Sequence, residues 1–246
     1  MLAYVATSPH VAADGTPMPV FDEHATRKGW MWVFATADAL LFAHWRTRRK
    51  SVPKGALGFT TGTLTVNGNT AYNSVIGQLG RKRGGCWCHA RRGLYNVLRY
   101  DEAFIQPLLD KIGEIFYIEA QVAGTGIVGT AEHLALRKEK SKPIIYRQFV
   151  AWDDYDATAV DARSSTSKAV SYIINQRVPL QLIWSFALVP IHNILSERAL
   201  RVIALTRKTR CSRATATRHS GSPSSCFCWS PANCTMWIQR LGSPMF

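Results

Sequence analysis

The stretch IHNILSERALRVIALTRK, residues 191–208, decides how the rest of the chain is read. Its apolar residues Ile191, Ile194, Leu195, Val202, Ile203 and Leu205 recur at helical spacing, which predicts a helix with one buried face. The opposite face carries Arg198, Arg201, Arg207 and Lys208. One carboxylate, Glu197, stands among these cations, and no other Asp or Glu follows Asp161. Two readings are open from the stretch alone. An acid in a basic segment commonly serves as an ion-pair partner. The other reading is a metal-binding carboxylate on a helix that faces an anionic polymer, and it requires further acids upstream.

Composition bounds the search for them. The chain has 246 residues, 47% of them hydrophobic, enough for one sizeable core or two small ones. Thirty Lys and Arg against 16 Asp and Glu leave a net charge of +14. That excess favours an anionic partner, nucleic acid first and a membrane surface second. No apolar run reaches the roughly 18 residues of a membrane span, and residues 1–15 lack the basic region and long apolar core of a signal peptide. A cytoplasmic location is the default expectation, with the six cysteines reduced. Cys86-Trp87-Cys88-His89 resembles a metal motif, but structural zinc favours a gap of about two to four residues between cysteines. Cys226, Cys228 and Cys234 show no regular pairing.

Residues 11–20, VAADGTPMPV, predict a short strand that ends in a turn at Asp14-Gly15, where an Asp can bond its own backbone. GWMWVFAT (29–36) reads as a buried strand and ALLFAHW (39–45) as its hairpin partner. Residues 46–54, RTRRKSVPK, are a solvated loop or a phosphate-contacting edge, and a short helix fits between Pro53 and Thr60 without being demanded. Residues 63–66 predict a strand, Asn67-Gly68 a turn, and Tyr72 onward a helix; a second short strand and a basic helix follow in 84–100. From Ala103 the pattern is helical. Pro107 falls in a first turn, Pro143 ends a helix, and Asp153, Asp154, Asp156 and Asp161 mark a polar linker. Residues 167–185 form a further helix broken at Val178-Pro179. After Thr206 there is no acid and no sustained periodicity, so no element is assigned.

Strands, then a strand-helix-strand unit, then a helical insertion, then a helix bearing Glu predict an α/β, RNase H-like mixed sheet flanked by helices. The expected divisions are a strand-rich part at 1–100, a helical insertion at 101–185, a closing helix at 186–208 and an unpatterned tail at 209–246. Several segments go further than topology: Ala13-Asp14-Gly15-Thr16-Pro17, GWMWVF, LTVNGNTAYN, GCWCHARRGLYN, LALRKEKSKPII, KAVSYIINQRVPL and IHNILSERALRVIALTRK. In this order, from about residue 11 to 208, they resemble the transposases of the insertion sequence sixty-six family, DDE-type enzymes of bacterial mobile elements.

The resemblance implies a carboxylate site holding two magnesium ions for DNA strand cleavage and transfer. Asp14 matches its first acid and Glu197 its last. The second acid falls at Asn67, where an amide brings no charge, and no Asp or Glu lies between Asp38 and Asp101 to replace it. Asn193 is a supporting residue, beside Ile194 where the family has a second Asn. Arg81, Lys82, Arg83, Arg91, Arg92, Arg198 and Arg201 are candidate DNA contacts. The family's N-terminal zinc-binding and DNA-binding regions are expected to be missing, and the acid-free tail looks like translation in a shifted frame. The leading expectation is a decayed transposase core that keeps the fold but little or no strand-transfer activity. The alternatives are a non-enzymatic DNA-binding protein, one that interferes by assembling with intact transposase subunits, and an unexpressed pseudogene product.

Overall fold

The chain starts with a short helix, α1 (Leu2–Thr7), and enters a sheet at β1 (His10–Pro17). The computed structural model describes residues 2–18, 20–22, 25–58, 60–77, 80–158, 164–209 and 234–240. A small hairpin, β2 (Val20–Asp22) and β3 (Ala25–Arg27), precedes β4 (Trp30–Ala35) and β5 (Ala39–Trp45). The turn between β4 and β5 is closed by Thr36, whose N–H donates to Ala39 O at 2.8 Å. The basic run that follows is not wholly a loop, because its second half folds into α2 (Ser51–Leu57). Val52, Pro53, Ala56 and Leu57 bury one side of that helix. Then come β6 (Thr63–Thr65), a 3₁₀ turn at Thr70–Val75 and β7 (Lys82–Gly84).

Helices follow: α3 (Trp87–Val97), α4 (Glu102–Val122), α5 (Ala131–Leu136), α6 (Lys142–Thr158), α7 (Ser165–Asn175) and α8 (Arg177–Gln181). Residues 83–192 form one compact unit, and 1–82 with 193–246 form the other. The helical unit has its own core, in which Trp87 and Leu94 of α3 join Ile105, Ile112, Phe149, Trp152 and Ile173. Thus α3, which follows the strand-rich part in sequence, is grouped by packing with the later helices.

Three expectations in this region are corrected. The Asp101 side chain caps α4 by accepting from Phe104 N–H, so the helix starts early and Pro107 lies inside it, past the first turn. Pro143 does not end a helix. A π-helical turn at Arg137–Ser141 precedes it, and this wider turn accommodates a residue that cannot donate to the preceding turn. The helix therefore runs on, and Asp153, Asp154 and Asp156 belong to α6 rather than to a linker. Asp161 lies outside the described residues.

Arg137 anchors the loop after α8. Its guanidinium grips Glu119 through two bonds of 2.7 Å and donates to Val189 O at 2.9 Å.

The last two elements are α9 (Ile194–Thr209) and β8 (Cys234–Arg240). β8 lies where no element was assigned, antiparallel to β5 from Ala39↔Arg240 to Trp45↔Cys234. The sheet order is β7-β6-β1-β4-β5-β8. β1 runs antiparallel to β4 and parallel to β6, so the sheet is mixed, compatible with the RNase H-like expectation. Its faces separate by strand alternation. Val11, Ala13, Trp32, Phe34 and Leu64 pack on one side with Val52, Leu57 and Tyr72. Ala12, Met31, Val33 and Ala35 pack on the other with Leu200, Ala199 and Ile203 of α9. Burying a leucine such as Leu200 contributes about 1.5–3 kcal/mol, which helps hold α9 on this face.

Candidate active site

Asp14 lies inside β1, not in a turn at its end. Pairing with β4 continues past it, through Gly15↔Trp32 to Pro17↔Trp30. Packing is close here: a Cβ at Gly15 would stand 3.3 Å from the Trp32 ring, tighter than most such contacts. Alternation with buried Ala13 turns Asp14 toward the face that carries α9.

Across the other edge of β1, the backbone register runs His10↔Thr63, Val11↔Leu64 and Ala12↔Thr65. Two residues further along each strand stand Asp14 and Asn67. They meet just where the ladder has ended: Asn67 Nδ2 donates to Asp14 Oδ1 at 2.9 Å. The same carboxylate oxygen accepts Gly15 N–H at 2.8 Å. Asn67 Oδ1 in turn accepts Asn69 N–H at 3.2 Å. Both ends of the amide are therefore engaged, and this network assigns its orientation.

The third position arrives on α9. Asn193, fully buried just before the helix, donates from Nδ2 to Ala13 O at 2.9 Å. Its own carbonyl accepts Glu197 N–H at 3.2 Å. Asn193 thus ties the start of α9 to the residue next to Asp14, and half-buried Glu197 follows within the first turn. A sequence model described as Transposase IS66 family matches residues 1–219.

The chain belongs to the IS66 transposase family.

Two curated relatives come from Sinorhizobium fredii (strain NBRC 101917 / NGR234). The chain is 28% identical to "Uncharacterized protein y4qI" over 85% of its own length and 41% of the relative's. It is 22% identical to "Uncharacterized protein y4hP" over 84% of its own length and 41% of that protein's. The chain therefore spans about two fifths of the curated relatives it matches. No solved structure matches it.

An IS66 transposase of DDE type suggests a divalent metal and a DNA partner. The residues at the expected metal position do not fit a two-cation site. Hard divalent ions need converging oxygen donors and negative charge. Here Asn67 aims an N–H at Asp14, and its oxygen is occupied by a backbone donor.

The candidate DNA contacts divide sharply. Arg81 is corrected: it has no exposed surface. Its guanidinium donates to Ala6 O at 2.6 Å, Ser8 O at 2.8 Å and Thr63 O at 3.0 Å, and its Nε to Thr60 Oγ1 at 3.2 Å. Buried donors need partners, and here backbone carbonyls supply most of them, so no phosphate can reach this side chain. Arg83 is half-buried and donates to Gln176 Oε1 at 2.8 Å. Lys82, Arg91, Arg92, Arg198 and Arg201 are exposed. Arg99, not singled out from sequence, is also exposed, in the 3₁₀ turn Leu98–Tyr100 that follows α3.

Sequence reasoning also missed His10. Its Nδ1 lies 2.9 Å from Thr63 Oγ1, whose hydroxyl donates to Pro9 O. Burial, then the nearby Arg81 charge, pushes its pKa down to about 4, so the ring is neutral at pH 7. A lone His at the start of a strand carries no signal of this kind. Among the described residues no helix is long and apolar enough to cross a membrane.

Proposed function

We propose that this chain is a DNA transposase catalytic core that keeps the fold of a strand-cleaving and strand-transferring domain and has lost the reaction. The observation that carries the reading is the Asn67–Asp14 hydrogen bond, an uncharged amide engaged where the family places its second acid. In this reading Asp14 and Glu197 are the two remaining carboxylates, and Asn193 is the residue that holds the second near the first. Magnesium is the ion the parent site would have used. Removing one of three charges from such a site costs several orders of magnitude in rate, since single preorganised electrostatic groups are worth about 2.7–4 kcal/mol or more. The test is a cleavage assay on duplex DNA carrying the element's end sequence, with magnesium or manganese. No product above the no-protein control is expected; robust, Glu197-dependent cleavage would overturn the reading.

A second reading is DNA binding without chemistry, including interference by assembly with intact transposase subunits. It is favoured by the exposed cations Arg91, Arg92 and Arg99, in a segment from Trp87 to Tyr100 that contains no acid. Phosphate contacts of this kind release counterions, so binding should weaken steeply with salt. Retention on duplex DNA at low salt that disappears at high salt is the expected result; no binding at low salt removes this reading.

A further inference from the structure

The misfit between this site and a divalent ion has a structural consequence that goes beyond lost activity. β1 and β6 pair as parallel strands only as far as Ala12↔Thr65. Two residues beyond that pair stand Asp14, still paired with β4, and Asn67, just past β6. Two carboxylates at hydrogen-bond distance here would repel, and a bridging cation would be needed to hold β1 and the chain just past β6 together. With Asn67, an N–H takes that bridging position at 2.9 Å. The amide is itself braced by Asn69 N–H, and the Asp14 oxygen it contacts is braced by Gly15 N–H.

Resting on the proposed reading of Asp14 as the retained first acid, we propose that the Asn67 amide is an internal replacement for the bridging cation. It joins Asp14 inside β1 to the chain just past β6 and makes the folded state independent of divalent metal. The wild-type site therefore takes no magnesium or manganese, whereas Asn67→Asp converts the same seam into a cation site.

The readout is the thermal midpoint of the full chain with and without manganese chloride, for wild type, Asn67→Asp, Asn67→Ala and Asp14→Asn. The wild type is expected to shift no differently from Asp14→Asn. Asn67→Asp is expected to melt lower than wild type without metal and to rise by about 5–10 °C once manganese reaches roughly a hundredfold excess over its dissociation constant. Asn67→Ala is expected to melt lower and stay there, because it restores no charge. Should Asn67→Asp fail to fold without metal, folding upon manganese addition is the same result in another form. A manganese shift in wild type that vanishes in Asp14→Asn would overturn the proposal. So would an Asn67→Asp protein as stable as wild type and indifferent to manganese. Neither result bears on the cleavage assay, so the failure of this inference and the failure of the proposed function are told apart.

Discussion

Asn67 Nδ2 and Asp14 Oδ1, 53 residues apart in the chain, are joined at 2.9 Å beside the last paired residues of two parallel strands. A hydrogen bond to a charged group contributes about 1.5–3 kcal/mol, and this one is half-buried, toward the lower end. Asn67→Ala is therefore expected to lower stability by about 1–2 kcal/mol. Urea denaturation measures it, and an unchanged midpoint would remove the bond from the account of the fold.

Asn193 makes a comparable link from the other direction, 180 residues from Ala13 and fully buried. Asn193→Ala leaves the Ala13 carbonyl without this donor and is expected to cost about 1–3 kcal/mol. Asn193→Asp sets a carboxylate oxygen against that carbonyl and is expected to cost at least as much. Hydrogen exchange should show the first turns of α9 opening more readily in both variants. Equal stability of Asn193→Asp and wild type would contradict the assignment.

Arg81 offers a clean contrast between a surface cation and a buried one. If it served DNA, Arg81→Lys would be mild. Because its fork is occupied by the carbonyls of Ala6, Ser8 and Thr63, a lysine cannot reproduce the contacts. Arg81→Lys is expected to destabilise the protein by roughly 2–4 kcal/mol through unsatisfied buried groups. Denaturant midpoints check it. Exposed Arg92 should behave in the opposite way: Arg92→Ala leaves stability nearly unchanged and, if DNA binds there, reduces the salt slope of binding by about one.

The His10 ring predicts a pH dependence whose sign is fixed by the direction of its shift. Its pKa falls from 6.5 to about 4 on folding. Between those values the unfolded chain holds a proton that the folded chain refuses, so stability rises with pH through this window. The contribution is complete above pH 6.5 and is lost as pH falls toward 4. His10→Gln, which does not titrate, should lose less stability than wild type between pH 7 and 4.5. Parallel pH profiles for the two proteins would refute this.

Much of the architecture was legible in the chain. The run at residues 29–36 became β4, residues 39–45 became β5, and the apolar spacing of residues 191–208 became α9. These elements are set by local periodicity, which a sequence displays directly. Misreadings came where packing overruled local chemistry. Asp14-Gly15 looks like a turn, but both residues pair with β4 and the strand runs on to Pro17. Pro143 looks like a helix end, but the preceding turn widens around it. Residues 234–240 carry the β-favouring Thr235, Trp237 and Ile238 in a tail without sustained periodicity, and they lie against β5 as an added strand.

By itself, the sequence showed the strands at 29–36 and 39–45, the helix at 191–208, the family resemblance and the absence of any acid between Asp38 and Asp101. Each of these is a matter of residue identity and spacing along the chain. Tertiary structure alone decided that Asn67 bonds Asp14, that Asn193 holds Ala13, and that Arg81 is a buried tie and not a DNA contact. Those contacts join residues 53, 180 and 75 positions apart. A side chain's partner across such distances depends on strand register and on which face of the sheet it occupies, and both are set only when the sheet has formed.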